Sequence, residues 1–578
     1  MIKYICENCN DLECETSKCP NCNSRTKIKE SKIFWCDNCQ IPLYTDYCSC
    51  CNGKGRYIGT DIRPVFPEER LMIEIICDRP FEFAGKSIWN TTGNNYIVDG
   101  KKIKFSVKDT LERYKAKDIS KRINELKEKN EYYEENFYNE KYLLDFLNAN
   151  KIHLNEISTE AMKYIQSISQ EYRDDEMFVS FSGGKDSTVT SDLVMKALMK
   201  ENIIHIYGDT TLEYFTTADY IKEFKRIHPT TPMLVAKNKE QDFNELCKVI
   251  GPPSRMMRWC CTIFKTGAIT RKIESTFRNT RNILTFQGIR RNESTARSKY
   301  DRESTESKIA KQIAVSPIID WQEFDVWLYI LANNIAFNKA YRYGFSRVGC
   351  WCCPNNSNWS EFLSAIYMPD KYITFHNILT DFAKKIGKPD PIEYVEQGGW
   401  KARQGGNGLE FSKNAVIEVK PCALIENTYN FELNKPLNEI LYELFKPFGN
   451  IDFTIGNKRL NEVYVLNKKN NLPILKISGR LGQCNIKISV LRKEGIFKDD
   501  KRTEMLIKNQ ITKFQTCIGC LACESQCKYN AIKITNVGAE KKVDYKIDSN
   551  KCIGCLNCVT HFSGGCYMKK ILRTKKEN

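Results

Sequence analysis

The middle of the chain alternates short apolar runs with amphipathic stretches. Apolar runs of strand length cover residues 177–181, 203–207 and 233–236. Between them, residues 189–200 and 216–227 space their apolar side chains at helical intervals. Strands that alternate with helices in this way predict an α/β fold built on a doubly wound parallel sheet. Ligands of such sheets bind at the carboxyl ends of the strands.

The flanking regions show other patterns. Residues 57–108 contain short β-rich runs, at 71–76 and 96–98, between turn signals, which predicts a small β module. Residues 109–170 interleave Glu with Lys and predict a solvated helical connector. A small helical and α+β module of unknown role is predicted for residues 361–510, with a helix at 437–445 and strands at 463–466, 474–477 and 486–490.

Composition narrows the class of protein. The chain has 578 residues, which predicts about three to five domains. No apolar run approaches the roughly 18 to 20 residues that cross a bilayer, and the first residues lack an apolar signal segment, so we expect a cytoplasmic protein without membrane contact. Lys and Arg number 88 against 71 Asp and Glu, a net charge of +17. This balance suits anionic ligands such as nucleotides or nucleic acid, although an ordinary solvated surface explains it equally well.

The cysteines are clustered. Of 27 cysteines, ten lie within residues 6–51, five within residues 260–353 and eight within residues 517–566. In a reducing cytoplasm, repeated C-x-x-C pairs are typical of metal sites, because thiolates are the ligands that zinc and iron–sulfur centres prefer. Extracellular disulfides are the weaker alternative.

Residues 1–56 carry four cysteine pairs separated by short loops. Four pairs predict two tetrahedral Cys₄ zinc sites in a double zinc-ribbon-like module that holds the fold or docks a partner. So short a segment needs the metal to fold, because it buries little apolar surface. Cys14 and Cys50 are left over, and Cys50 is an alternative to Cys51. The predicted ligands are Cys6, Cys9, Cys19, Cys22, Cys36, Cys39, Cys48 and Cys51.

A glycine-containing loop follows the first strand of the predicted sheet. Its residues are Ser182, Gly183, Gly184, Lys185, Asp186 and Ser187. The glycines allow a sharp turn that presents N–H groups, and the next helix begins there, so we expect the loop to bind a phosphate or sulfate. Lys185 adds a positive charge. Asp209, which ends the second strand, is a further candidate for nucleotide binding.

This loop resembles the PP-loop, a Rossmann-like nucleotide site, of the adenine nucleotide alpha-hydrolase superfamily. Further segments within about residues 177–360 resemble the phosphoadenosine phosphosulfate (PAPS) reductase family, and we place the domain at residues 171–360. These segments are Arg258–Cys261, Gln287–Arg297, Ser316–Trp321 and Gly349–Cys353. The resemblance implies an adenine nucleotide or sulfonucleotide as ligand.

The same resemblance implies a 4Fe-4S cluster beside the nucleotide pocket. Its implied ligands are Cys260, Cys261, Cys350 and Cys353, with a structural zinc as the alternative. Cys352 is then a free thiol near the cluster, either a nucleophile or a structural residue.

Arginines follow a predicted strand at residues 283–286. The residues of interest are Gly288, Arg290, Arg291 and Arg297. Guanidinium forks bind phosphate or phosphosulfate oxygens better than ammonium groups do. We expect Lys185, Arg290 and Cys352 to be the catalytic candidates, with Arg291 and Arg297 as ligand-binding residues.

Two features depart from the sulfonucleotide reductases of this family. Those enzymes carry a catalytic cysteine in a C-terminal Glu-Cys-Gly-[Ile/Leu]-His motif, and neither Cys422 nor Cys484 lies in such a motif. The PP-loop lysine is more usual in members that split ATP to AMP and pyrophosphate. Both features favour an alternative, an ATP-dependent sulfurtransferase that thiolates RNA or DNA.

Residues 511–578 have the cysteine spacing of a two-cluster bacterial ferredoxin, in which the fourth cysteine of each motif ligates the other cluster. Lys528 and Tyr567 stand where proline usually follows. We therefore expect a ferredoxin-like α+β domain with two 4Fe-4S clusters. The predicted ligands are Cys517, Cys520, Cys523 and Cys566 for cluster one and Cys527, Cys552, Cys555 and Cys558 for cluster two.

These features together predict an enzyme that reduces a sulfonucleotide, PAPS or adenylyl sulfate, to sulfite and PAP or AMP. This reaction needs two electrons, which is the economical reason to fuse a ferredoxin domain to the nucleotide domain. The expected partners are the nucleotide and a low-potential electron donor. Nucleic acid and a second copy of the chain stay open as further partners.

Overall fold

The computed structural model describes residues 4–10, 12–14, 18–24, 26–28, 32–129, 140–278, 280, 282–304, 312–535 and 542–574. Within these ranges, no helix has both the length and the apolar character that a membrane crossing requires.

Short strands form the cysteine-rich N-terminal region. One three-stranded sheet is built from β1 to β3, a second from β4, β5 and β8, and β6 pairs with β7. Such short strands stabilise little by themselves, so the fold here depends on side-chain and ligand contacts. The strands are β1 (Tyr4–Cys6), β2 (Leu12–Cys14), β3 (Lys27–Ile28), β4 (Ile33–Cys36), β5 (Ile41–Leu43), β6 (Tyr47–Cys48), β7 (Gly53–Lys54) and β8 (Arg56–Gly59).

The next region is a four-stranded antiparallel sheet with one helix. The sheet consists of β9 (Ile62–Pro64), β10 (Ile88–Thr91), β11 (Asn95–Val98) and β12 (Lys101–Lys102). The prediction of a β-rich run at 71–76 was wrong, because helix α1 spans Pro67–Ile76. Pro67 occupies the first turn, where its missing N–H costs nothing, and acidic residues follow it there.

The described residues between 107 and 169 form four helices. They are α2 (Val107–Arg113), α3 (Ala116–Lys129), α4 (Glu140–Ala149) and α5 (Lys151–Ser169). The connector is less solvated than predicted, because Ile119, Ile123 and Ile165 are buried in the main core.

The central region is the predicted doubly wound sheet. Its strand order is β15-β14-β13-β16-β18-β17, and every pairing is parallel except that of β17 with β18. The elements are β13 (Met177–Phe181), α6 (Lys185–Leu198), β14 (Ile204–Asp209), α7 (Thr217–Ile227), β15 (Met233–Lys237), α8 (Phe243–Ile250), α9 (Gly267–Thr276), β16 (Ile283–Gln287), β17 (Glu303–Ser304), β18 (Gln312–Val315) and α10 (Glu323–Ala332).

An antiparallel sheet follows three helices. The helices are α11 (Asn358–Tyr367), α12 (Pro369–Lys385) and α13 (Pro391–Glu396). The sheet has the order β19-β20-β24-β23-β22-β21. Its elements and the helices associated with it are β19 (Glu418–Pro421), β20 (Thr428–Glu432), α14 (Ile440–Phe445), β21 (Asn450–Asp452), β22 (Glu462–Leu466), β23 (Pro473–Ser478), β24 (Asn485–Val490) and α15 (Asp500–Thr516).

The C-terminal region is small and shares the cores of its neighbours. It contains α16 (Ala522–Ser525), β25 (Ile532–Thr535), β26 (Asp544–Ile547), α17 (Asn557–Thr560) and α18 (Tyr567–Ile571). Cys520 and Cys566 are buried in the main core with the central sheet, whereas Cys523 is buried in the core beneath the antiparallel sheet.

Candidate active site and its cysteine centres

The loop between β13 and α6 has the geometry of an anion site. Gly183 has a φ of +74°, a left-handed conformation that favours glycine, and Gly184 is the N-cap of α6. The Ser182 and Ser187 hydroxyls lie 3.1 Å apart, and Ser187 also donates to the Gly184 carbonyl at 2.8 Å. These bonds fix the turn, so the N-terminus of α6 and its positive dipole end face the carboxyl edge of the sheet.

Lys185 is buried at this point, with its ammonium group held by protein oxygens. The Nζ atom lies 3.5 Å from both Asp186 Oδ2 and Glu323 Oε1, and it donates to the Ser346 carbonyl at 3.3 Å. The Lys185 amide donates to the Tyr341 hydroxyl at 3.0 Å. The carboxylates hold the pKa of Lys185 above its usual value despite its burial, so the group is charged.

Arg290 joins the same network from the end of β16. Its Nε donates to Asp186 Oδ1 at 2.5 Å, and it is 4% exposed. Gly288 permits this contact, because a Cβ at that position would lie 2.5 Å from the backbone of Asp186. The predicted residues Ser182, Lys185, Asp186, Gly288 and Arg290 therefore lie together.

The other predicted binding residues lie at the edge of this group and are paired. Arg291 pairs with Asp320 and also donates to the Tyr300 carbonyl at 3.0 Å. Arg297 pairs with Glu293. Asp209 pairs with Lys237 at 2.9 Å. A ligand would have to compete for these groups, so their predicted binding roles stay predictions.

Two arginines near the central cysteines are more exposed to solvent than Arg290 and Arg291. Arg258 and Arg347 are exposed, and neither forms an ion pair with a described residue. Both lower the pKa of Cys353 through their charge, against the larger effect of burial, so they lie near that thiol. Arg347 also lowers the pKa of Arg297, after the effect of burial. Because Arg297 is paired with Glu293, the net positive charge on this side of the site comes from Arg258 and Arg347.

The central cysteines meet at the carboxyl edge of the sheet. Cys261 begins a π-helical segment, Cys261–Thr266, that leads into α9. Such segments are frequent at functional sites. The Cys350 Sγ atom lies 3.5 Å from the Thr210 hydroxyl, just after β14. Burial raises the pKa of Cys350 to about 12, and the nearby Cys261 adds to the rise.

Cys260 and Cys353 belong to the same group of thiols. The side chain of Cys261 and burial raise the pKa of Cys260, and Cys350 adds to the rise. Burial raises the pKa of Cys353, and Cys261 adds to the rise. Cys261 therefore lies close to Cys260, Cys350 and Cys353, and the binding of one metal centre by these four thiols stays a prediction.

Cys352 lies deeper than these four. It is 6% exposed and is part of the main core, and burial raises its pKa well above the usual value. A nucleophilic cysteine needs thiolate character and access. This environment favours the structural interpretation of Cys352.

Sequence reasoning missed the residues that support the loop from distant parts of the chain. These include Tyr341 and Glu323, described above, and Asp61, whose carboxylate accepts the Glu323 and Phe324 amides at 3.0 Å. Asp61 thereby caps α10 from the N-terminal part of the chain. Burial and Glu323 raise the pKa of Asp61 to about 6. No local motif marks these residues, because their partners are far away in sequence.

The N-terminal cysteines form the two predicted groups of four. In each group all the sulfur atoms lie within 4.8 Å of one another, close enough to hold one metal ion. The second group contains Cys51, whose Sγ lies 3.4 Å from that of Cys36, whereas Cys50 is exposed and donates to the Asp145 carbonyl. The groups are Cys6, Cys9, Cys19 and Cys22, and Cys36, Cys39, Cys48 and Cys51.

The C-terminal cysteines also form two groups. One cavity is lined by all four cysteines of predicted cluster two. In the other group, burial raises the pKa of Cys520 well above its usual value, with additional effects from Cys566, Cys523 and Cys517. Both arrangements fit the crossed pairing that the spacing predicts. The ligand sets themselves stay predictions.

The cluster-one side of the C-terminal region packs against the central cysteines. Gly267 lies under Leu521, and a Cβ at Gly267 would come within 2.9 Å of the Leu521 Cβ atom. Arg271 on α9 pairs with Glu524 on α16 at 2.8 Å. Burial raises the pKa of Tyr567 to about 12, and Cys520, Cys260 and Cys261 add to the rise. Tyr567 therefore lies between the two groups of thiols.

Two segments of the chain match models of known families. Residues 176–356 match the phosphoadenosine phosphosulfate reductase domain, and residues 516–561 match a 4Fe-4S dicluster domain. Two uncharacterised proteins of Methanocaldococcus jannaschii are 32% and 30% identical over 225 and 262 residues. These alignments cover 39% and 45% of this chain and only 45% and 60% of the relatives.

An adenosine 5′-phosphosulfate reductase of Oceanobacillus iheyensis is 29% identical over 195 residues, 33% of this chain and 77% of the relative. Among solved structures, the PAPS reductase of Candida auris in complex with phosphate covers 35% of this chain and 96% of its own, with 15% identity and a TM-score of 0.27. Residues 176–356 are therefore similar to PAPS reductase domains, and the same chain carries a C-terminal segment that matches a 4Fe-4S dicluster domain.

Proposed function

We propose that this chain reduces a sulfonucleotide, PAPS or adenylyl sulfate, with electrons from its own dicluster domain. Two electrons and two protons break the bond between the sulfur and the phosphate-bound oxygen. The sulfur is reduced and leaves as sulfite, and PAP or AMP is the other product.

The substrate would bind at the loop between β13 and α6. A phosphate here would accept from the N–H groups of the loop and of the α6 N-terminus, beside the charged Lys185. It would compete with the Ser182 and Tyr341 hydroxyls, which accept from the Gly184 and Lys185 amides. Arg258 and Arg347, which are exposed and lower the pKa of Cys353 through their charge, would bind the sulfate end. In this pose the sulfur would lie between the loop and the central cysteines.

The cysteine groups suit two kinds of metal centre. Two 4Fe-4S clusters in the dicluster domain, and a third held by Cys260, Cys261, Cys350 and Cys353, would supply electrons when bound. The two N-terminal Cys₄ groups suit zinc, because four thiolates around one ion is a structural zinc arrangement.

The contact between the dicluster domain and the central cysteines carries the proposal. Tyr567 directly follows Cys566, and its pKa is raised by burial and further by Cys520, Cys261 and Cys260, so it lies near both groups of thiols. Leu521 and Glu524, on the cluster-one side of the domain, contact α9 through Gly267 and Arg271. An electron donor fused to the enzyme is useful only if it lies this close to the reaction site.

Anaerobic product analysis tests the proposal. The cluster-loaded chain is reduced with a low-potential donor and offered PAPS, adenylyl sulfate and ATP separately. We expect sulfite with PAP or AMP from one of the two sulfonucleotides. Pyrophosphate from ATP without sulfite would contradict the proposal and would support the ATP-dependent sulfurtransferase.

A further inference from the structure

The cluster-two side of the dicluster domain reaches the surface. The cavity that its four cysteines line is bordered by Tyr529 and Ile553, which are 46% and 60% exposed. Cys555 is itself exposed. Large apolar side chains that stay exposed together beside a cysteine-lined cavity are typical of an interaction site.

The cluster-one side is closed. Cys520, Cys523 and Cys566 are at most 8% exposed, and this side contacts α9. Of the eight cysteines of this domain, all of which the structure describes, Cys555 is the exposed one. The domain therefore has an inner end at the nucleotide domain and an outer end at the solvent.

Lysines surround the outer end. Lys528 and Lys469 are exposed, and neither forms an ion pair with a described residue. Lys468, beside Lys469, donates to the Cys552 carbonyl at 2.5 Å, which places this turn against the cluster-two cysteines. Lys551 is also exposed, and it is paired with Asp548 at 3.5 Å. We call Tyr529, Ile553, Cys555, Lys469 and Lys528 the outer rim.

We infer that the outer rim is the docking site of a small acidic electron-carrier protein of the ferredoxin type. An apolar centre with exposed lysines beside it is complementary to a redox protein that has a negative face. One electron passes from the reduced carrier to an oxidised cluster, and no bond forms or breaks. The inference rests on the proposed function only in that the dicluster domain needs an external reductant.

Charge reversal on the rim tests the inference. The full chain, loaded with clusters, is mixed anaerobically with a reduced acidic 2Fe-2S ferredoxin at low salt, and cluster reduction is followed by freeze-quench EPR. Lys528→Glu and the double variant Lys469→Glu/Lys528→Glu are compared with Lys371→Glu. Lys371 is an exposed lysine on α12 without an ion pair among the described residues. Its substitution by Glu therefore makes the same change in charge at a site away from the rim.

We expect Lys528→Glu to slow reduction by ferredoxin about tenfold, and the double variant to slow it further, because steering by charge contributes this much to association. Higher salt should reduce the difference. Reduction by methyl viologen radical, a small donor that needs no protein surface, should be as fast in the rim variants as in the parent. This control shows that the clusters are intact.

Equal rates with ferredoxin for Lys528→Glu, the double variant and Lys371→Glu would overturn the inference. No sulfonucleotide is present in the assay, so the result does not depend on the proposed reaction. If the clusters accept electrons at the rim but no sulfite forms with any sulfonucleotide, the proposed function fails and the docking site stands.

Discussion

At the scale of single residues, Gly288 decides whether the nucleotide loop can form. The chain leaves β16 so close to Asp186 that a Cβ atom would lie 2.5 Å from the backbone. This backbone belongs to the first turn of α6, at the proposed anion site. Side-chain atoms at Gly288 would therefore push the loop out of place without disturbing the sheet.

Gly288→Ala should weaken nucleotide binding at least about tenfold, since the loop has to move to relieve the contact. Gly349→Ala is the matched control, because a Cβ there meets no atom within 4 Å. Calorimetric titration with the preferred nucleotide measures both variants. Equal affinity for the two would show that Gly288 does not support the site.

His205 on β14 is buried in its neutral form. Its Nε2 atom lies 2.7 Å from the Ser191 hydroxyl, and Nδ1 lies 2.8 Å from the Ile203 carbonyl. Burial lowers its pKa to about 4. An unfolded histidine binds a proton near pH 6.5, so protonation favours the unfolded state between about pH 6.5 and 4. The stability contributed by the neutral ring is present above this window and is lost as the pH falls.

From pH 7 to pH 5, this effect should cost the parent chain about 2 kcal/mol of unfolding free energy. His205→Gln, which cannot take up the proton, should be less stable at pH 7, and the gap to the parent should narrow by that amount at pH 5. Urea unfolding followed by tryptophan fluorescence measures the gap. A gap that does not change with pH would contradict this assignment.

At the scale of elements, the two N-terminal cysteine groups are attached differently. The second group belongs to a cluster of buried residues that includes Trp35, Phe146 and Phe324. The Asn150 side chain adds two hydrogen bonds: it donates to the carbonyl of Pro42 on β5 and accepts from the amide of Tyr44, just after β5. Two members of the first group, Cys6 and Cys19, instead form a separate small cluster with Cys14, which is not a member of the group. Metal binding should therefore matter to the whole chain only in the second group.

Cys36→Ser should release one equivalent of metal and lower the melting temperature of the whole chain, because the site is part of a shared core. Cys6→Ser should also release one equivalent but leave the main transition in place. Cys50→Ser, outside both groups, is the control and should change neither quantity. Metal analysis and calorimetry measure these effects. Equal losses of stability in the two ligand variants would refute the difference in attachment.

The sequence pattern predicted the central elements well because both periodicities are strong there. The strands at 177–181, 203–207 and 233–236 agree with β13, β14 and β15 within two residues. The run 71–76 was misread, since a short run of Leu, Met and Ile fits a buried strand and a buried helix equally well. Tertiary contacts favour the helix here, because most residues of α1 are buried.

The candidate site was predictable only where a local motif carries it. The PP-loop and the cysteine spacings are local, and the structure brings those residues together. Asp61, Glu323 and Tyr341 lie on three distant segments that meet at the loop, so no spacing identifies them. Arg347 lies near the Cys350–Cys353 motif, but nothing in its neighbours distinguishes it from a surface arginine.

At the scale of the whole molecule, the dicluster domain is not an appended module. Cys520 and Cys566 are buried in the main core with the central sheet, and Cys523 is buried in the core under the antiparallel sheet. The domain thus connects two cores and holds its inner end against the central cysteines. This arrangement is the physical basis for the proposed electron route.

A single-turnover experiment tests this central claim most directly. The full chain is reduced, separated from its donor and mixed with its sulfonucleotide, while EPR follows the clusters and product analysis follows sulfite. The account predicts one sulfite for every two electrons that the clusters lose, and no such coupled turnover in Cys520→Ala. Clusters that stay reduced, with sulfite appearing only when a thiol donor is added, would contradict it.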